Sequence, residues 1–188
     1  MNGLYKTQKK KEAPPRNHFV DAVVRFFASG FYAGYVPVIP GTTGAALGVL
    51  VYMTILLRMD LKPILLFFVY LGFYLVGAFI STLALDVYTE ADYNVIVIDK
   101  MLGAMIAVSG FSSAVWQHAL PRVFVAFMVY RLWEIAKLFP LRPLEKLPKG
   151  LGVMADDVAG GIIALLIGIY MPDRIWDTFG WTLPVVKR

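Results

Sequence analysis

The sequence predicts an all-α fold, a polytopic membrane helical bundle with about four to five membrane-embedded helices. The chain of 188 residues is 59% apolar and 16% charged, far from the composition of a soluble domain. Residues 61–85 form an apolar run in which Lys62 is the only charged side chain. This run exceeds the roughly 20 residues that cross about 30 Å of hydrocarbon. Membrane insertion is therefore the first inference from the composition.

Three segments precede that apolar run in the first half of the chain. Residues 21–35 alternate apolar and small side chains, which predicts a short amphipathic or re-entrant helix at the membrane interface. The prolines and glycines of 36–44 predict a loop, and the pattern of 45–57 predicts a helix after it. The run 61–85 is then expected to span the bilayer.

The second half predicts three further helices. One is expected to start near Asp99, one to cover 123–137, and one to cover 158–171 and end at Pro172. The segments expected to cross the membrane are 44–57, 63–85, 101–117, 120–137 and 158–171.

The chain is predicted to be one domain with two tails. Residues 1–18 form a basic, mobile N-terminal tail, 19–172 form the membrane-embedded domain, and 173–188 form an interfacial tail that contains Trp176 and Trp181. No signal peptide is recognised, and there is no cysteine to carry thiol chemistry. The net charge of +5 indicates contact with anionic headgroups and no nucleic acid, because the lysine cluster adjoins a membrane domain.

The topology gathers polar groups on one side of the membrane. With a cytoplasmic N-terminus, the regions 41–44, 86–100 and 138–157 share the cytoplasmic face, which also receives the excess of lysine and arginine. Four carboxylates then lie within a turn or two of this face. They are Asp99, Glu134, Asp156 and Asp157. Ionisable groups at this depth usually face the bundle interior with a partner or a function.

The strongest local pattern is Gly-Leu-Gly-Val-Met-Ala-Asp-Asp at 150–157. Adjacent carboxylates before an apolar helix repel each other unless a cation or a helix cap compensates them. A capping role of one Asp in the helix over 158–171 is the structural alternative. Capping explains only one of the two, so Asp156 or Asp157 is expected to bind a metal.

Two other charged patterns have structural and functional interpretations. Asp99 is a catalytic or metal-binding candidate, a helix cap, or the ion-pair partner of Lys100 or Arg131. Residues 131, 134 and 137 lie three apart on one helical face, which fits either a ladder of ion pairs or a site for phosphate and metal.

Gly-Thr-Thr-Gly at 41–44 offers backbone N–H groups and the hydroxyls of Thr42 and Thr43 to an anion, although most such loops bind nothing. His18 and His118 join no metal-spaced cluster.

Four motifs in this order resemble the bacterial phosphatidylglycerophosphatase A family. They are Pro-Gly-Thr-x-Gly at 40–44, Ile-Val-Ile-Asp at 96–99, Arg-Leu-x-acidic-Ile-x-Lys at 131–137, and Gly-x-Gly-Val-Met-x-Asp-Asp at 150–157. The resemblance covers about residues 29–170. It implies a Mg²⁺-dependent, multi-pass enzyme of the bacterial inner membrane with its active site on the cytoplasmic face. Such an enzyme removes the terminal phosphate of phosphatidylglycerophosphate to give phosphatidylglycerol.

The resemblance also implies roles for individual residues. Functional positions carried over from the motifs are Thr42, Asp99, Arg131, Lys137, Asp156 and Asp157. The expected catalytic and Mg²⁺-binding residues are Asp99, Glu134, Asp156 and Asp157. The expected phosphate-binding residues are Thr42, Thr43, Lys100, Arg131 and Lys137. The partners that the resemblance implies are a phosphorylated glycerophospholipid as substrate and the surrounding membrane lipids.

This chain departs from the family pattern at two site positions. Lys100 stands where the family usually has Glu, and Glu134 stands where it has Asp. A homologue that binds phosphorylated lipid with altered or no turnover is therefore an alternative. A small ion or solute transporter is a further alternative, which would place the carboxylates at the bilayer midplane and not at one face.

Overall fold

The computed structural model describes residues 17–88, 90–110, 116–136 and 150–170, and its regular elements there are helical. The two predicted tails, apart from residues 17 and 18, lie outside the described residues. The helices are α1 (His18–Ala28), α2 (Pro40–Val51), α3 (Pro63–Val87), α4 (Ile98–Val108), α5 (Trp116–Ala136) and α6 (Gly150–Tyr170). Short 3₁₀ segments cover Ala33–Tyr35 and Glu90–Val95, and a π-helical turn over Tyr52–Leu56 extends α2.

Proline starts two of these helices. Pro40 and Pro63 lie in the first turns of α2 and α3, where a missing N–H leaves no intrahelical hydrogen bond unmade. The predicted loop over 36–44 is therefore wrong in its second half, because Pro40 begins a helix instead of preventing one. The predicted amphipathic helix over 21–35 is shorter than expected, since α1 ends at Ala28.

The last helix starts earlier than its hydropathy pattern suggested. We expected a helix over 158–171, but α6 begins at Gly150 and includes the whole Gly-rich motif. Asp156 and Asp157 consequently lie in the second turn and have helical neighbours on both sides. The alternative that one of them caps the helix at 158 is thus wrong. The expected helix start near Asp99 is confirmed by α4, which begins at Ile98.

Helix α4 is the buried centre of the bundle, and it packs against α2, α3, α5 and α6. Small residues permit these close contacts. A Cβ atom at Gly48 of α2 would overlap the backbone of Met101, and one at Gly161 of α6 would overlap the backbone of Gly103. Leu102, between these contacts, is fully buried. The glycines therefore let α4 pack closely against both α2 and α6.

Among the described residues, α3 and α6 are the helices long and apolar enough to cross a membrane. Only 17% of the apolar window of α3 and 33% of that of α6 is buried inside the protein. Large apolar side chains such as Phe67, Leu75 and Phe79 face outward on α3. Exposed apolar surface of this extent is typical of a surface that contacts lipid or another protein.

Candidate active site

A polar pocket of about 460 Å³ lies where α2, α4 and α6 begin and α3 and α5 end. The helices alternate in direction, so these five ends meet at one end of the bundle. The charged side chains that line the pocket are Asp99, Lys100, Arg131, Glu134 and Asp156. Charged residues that are far apart in the sequence thus line one pocket.

The Lys100 ammonium lies among three carboxylates. Its Nζ is 3.0 Å from Asp99 Oδ2, 3.2 Å from Asp157 Oδ2 and 3.9 Å from Glu134 Oε1. The Asp99 and Asp157 side chains are almost fully buried. Burial by itself lowers the pKa of Lys100, but the surrounding carboxylates outweigh burial and raise that pKa above its ordinary value. The ammonium therefore stays charged.

Tyr130 is a site residue that no sequence pattern selects. Its fully buried hydroxyl donates a hydrogen bond of 2.6 Å to Asp157 Oδ1, while Lys100 donates to Asp157 Oδ2. Both oxygens of the Asp157 carboxylate are therefore satisfied. Only the position of Tyr130 at the end of the apolar stretch 123–130, directly before Arg131, would have hinted at this contact.

Arg131 forms the cationic wall of the pocket. It makes an ion pair with Glu134 one turn later on α5, which is the first step of the predicted ladder. Arg131 is buried, with only 8% of its residue surface exposed. In the described part of the chain, its Nε has no hydrogen-bond partner. Arg131 thus brings to the pocket a guanidinium with an unpaired donor, which suits it to bind an anion.

The first turn of α2 closes the pocket over these cations. A Cβ atom at Gly41 would lie 3.1 Å from Arg131 Nη2 and 3.1 Å from Lys100 Cδ. With a Cβ at residue 41, both cationic side chains would have to shift by a few tenths of an ångström, so glycine favours this close approach of the α2 backbone. The positive end of the α2 dipole adds to the anion-binding character of this wall.

Three predicted phosphate-binding residues, Thr42, Thr43 and Lys137, are not found in the pocket lining that the structure describes. Thr42 and Thr43 are not among the residues that line the pocket. The Thr43 hydroxyl is 2.7 Å from the backbone oxygen of Ala33 and 2.8 Å from that of Pro40, so it stabilises the start of α2. Lys137 lies outside the described residues. Roles for these three side chains stay predictions.

The acidic residues allow a limited test of the expected Mg²⁺ site. In the described ranges, no group of three His, Cys, Asp or Glu side chains is arranged to hold a metal ion. Lys100 occupies the space between Asp99 and Asp157. Glu134 and Asp156, however, both line the pocket. Mg²⁺ is commonly bound by one or two carboxylates together with substrate phosphate and water, and these two side chains carry the oxygen donors that such an ion takes.

The fold and the pocket define a helical protein with membrane-type helices and a charged pocket large enough for a phosphorylated headgroup. The sequence model of the phosphatidylglycerophosphatase A family matches residues 26–172. The chain therefore belongs to the phosphatidylglycerophosphatase A family.

Curated relatives agree with this family. The chain is 32% identical to phosphatidylglycerophosphatase A of Haemophilus influenzae over 77% of its own length and 85% of the relative. It is 27% identical to phosphatidylglycerophosphatase A of Escherichia coli K12, over 79% of this chain and 83% of that one. A putative phosphatidylinositol-3-phosphatase of Bacteroides thetaiotaomicron is 26% identical, over 74% and 87% of the two chains. No solved structure matches.

Proposed function

We propose that this chain is a lipid-phosphate phosphatase that hydrolyses phosphatidylglycerophosphate to phosphatidylglycerol and inorganic phosphate. The observation that carries the proposal is the pocket in which Lys100 and the buried, partly unpaired Arg131 adjoin several carboxylates. Family membership supports the same substrate, because two relatives bear the name of that activity.

The reaction requires a water molecule to attack phosphorus while the bond between phosphorus and the glycerol oxygen breaks. Arg131 is suited to bind the non-bridging oxygens, because a guanidinium donates two parallel hydrogen bonds to phosphate. Either Glu134 or Asp156 accepts the proton of the attacking water. The same carboxyl group returns that proton to the glycerol oxygen as it leaves, which gives phosphatidylglycerol and inorganic phosphate.

We also propose that turnover requires Mg²⁺. Four carboxylates gather at this end of the described helices, and they repel a substrate phosphate, which carries a charge of about −2. Glu134 and Asp156 would hold the ion together with oxygens of the substrate phosphate. Bound Mg²⁺ supplies positive charge that offsets this repulsion.

We place the pocket at the cytoplasmic surface of a bacterial inner membrane, in a multi-pass protein of four to five membrane-embedded helices. The excess of lysine and arginine in the regions next to the pocket supports this orientation. A lipid can then present its headgroup to the pocket while its acyl chains stay in the leaflet. The location of the carboxylates at helix ends argues against a transporter, which would need them near the midplane.

The test is phosphate release from phosphatidylglycerophosphate in detergent, with Mg²⁺ and then with excess chelator. Protein with Asp156→Asn and Asp157→Asn serves as the blank. Release that the blank lacks supports the phosphatase, and sensitivity to chelator supports the Mg²⁺ requirement. Phosphatidylinositol 3-phosphate in the same assay tests the activity named for the Bacteroides relative.

A second candidate is a homologue that binds phosphorylated lipid without turnover. It is motivated by Lys100, which takes up space between the two buried carboxylates. This candidate predicts that the protein binds vesicles that contain phosphatidylglycerophosphate but releases no phosphate from them. Sedimentation of the protein with such vesicles, next to the release assay, separates the two candidates.

A further inference from the structure

The deepest part of the pocket is built around the ammonium of Lys100. The Lys100 side chain is only 20% exposed, and its Nζ contacts carboxylate oxygens on α4 and α6 and lies 3.9 Å from Glu134 Oε1 on α5. Asp99 lies beside it on α4, and Asp157 reaches it from α6. An ammonium in such a position has lost most of its hydration, and the carboxylates replace the water.

Each carboxylate is also fixed on its other side. Asp99 Oδ1 accepts the Lys100 backbone N–H at 2.8 Å, and Asp157 Oδ1 accepts the Tyr130 hydroxyl at 2.6 Å. One oxygen of each is thereby anchored, and the other oxygen is directed at Lys100 Nζ. The two directed oxygens are arranged as ligands of a single cation, which in this chain is covalently attached.

We propose that Lys100 is the built-in cation of Asp99 and Asp157, and that removing its ammonium turns this pair into a binding site for a divalent metal ion. The inference refines the proposed function, since it separates a permanent cation deep in the pocket from an ion that enters with substrate. Without lipid, the native protein therefore has weak affinity for divalent metal.

This property is measurable without any turnover, using Mn²⁺ as the probe. Mn²⁺ binding is followed by electron paramagnetic resonance on detergent-solubilised, full-length protein without lipid substrate, at a pH above the usual range of carboxyl groups. The variants are Lys100→Met, Lys100→Arg and the exposed control Lys62→Met. Adding Asp157→Asn to Lys100→Met tests whether any new site uses the buried pair.

We expect Lys100→Met to bind Mn²⁺ about tenfold or more tightly than the native protein, because two buried carboxylates lose their counter-charge. Its melting temperature should rise with Mn²⁺, since a ligand of the folded state stabilises it. Lys100→Arg and Lys62→Met should resemble the native protein, and Asp157→Asn should abolish the gain.

Equal affinity of the native protein and Lys100→Met, whether strong or weak, would overturn the proposal. If Lys100→Met does not fold, Lys100→Gln gives the same comparison, and folding of either variant only with Mn²⁺ supports it. Failure of both to fold even with Mn²⁺ would contradict it. Because phosphate release is not measured, a failed phosphatase assay leaves this result unaffected.

Discussion

Replacement of Tyr130 by Phe removes one hydroxyl from the buried end of the site and leaves the ring in place. The hydroxyl donates a 2.6 Å hydrogen bond to Asp157 Oδ1, and Tyr130 is fully buried. A hydrogen bond to a charged group contributes about 1.5–3 kcal/mol, and no water replaces the lost donor at a fully buried site. We expect Tyr130→Phe to lower the free energy of unfolding by about this amount.

The assay is reversible unfolding in mixed micelles with increasing denaturing detergent. Tyr74→Phe is the matched control, because its hydroxyl donates to the backbone oxygen of Leu151 at 3.3 Å and no charge is involved. That variant should lose about 0.5–1 kcal/mol. Equal losses in the two variants would refute the reasoning that the Tyr130 hydroxyl makes a stronger hydrogen bond to the Asp157 side chain than Tyr74 makes to a backbone oxygen.

Three further predictions concern binding, catalysis and packing. Arg131→Gln should raise KM about tenfold or more with a smaller change in kcat, because a charge-assisted contact to phosphate is lost. Asp156→Asn should lower the rate about a hundredfold, because a carboxylate of the pocket is lost. Gly48→Ala should lower the melting temperature, because its Cβ would overlap the Met101 backbone. Gly72→Ala should not, since its Cβ would meet nothing within 4 Å.

Two measurements, phosphate release and thermal melting, check these variants. Phosphate release as a function of the mole fraction of lipid gives KM and kcat for the Arg131 and Asp156 variants. An unchanged KM in Arg131→Gln would contradict a phosphate-binding role, and a native rate in Asp156→Asn would contradict its place among the catalytic carboxylates. Thermal melts of the glycine variants should separate clearly, and coincident melts would argue against close packing of α2 on α4.

The sequence predicted where the charged groups meet because hydropathy sets the helices and short connections alternate their direction. Asp99 at the start of α4, Glu134 at the end of α5 and Asp156 near the start of α6 must then share one end of the bundle. That inference needs no side-chain geometry. It follows from the order of the apolar segments alone.

Other features depended on contacts that a linear pattern does not contain. The Gly-rich motif before Asp156 resembles a loop, yet its glycines permit a helix start packed tightly against α3, where a Cβ at Gly150 would overlap the backbone of Ala78. Tyr130 resembles any aromatic residue in an apolar helix. The position of Lys100 between Asp99 and Asp157 depends on the separation of α4 and α6, which Gly103 and Gly161 set.

The most direct test of the account is conversion of phosphatidylglycerophosphate by the purified protein, with both products quantified. We predict equal amounts of phosphatidylglycerol and inorganic phosphate, and neither product from well-folded protein with Asp156→Asn and Asp157→Asn. Absence of both products from native, folded protein supplied with Mg²⁺ would contradict the central claim that this pocket hydrolyses a lipid phosphate.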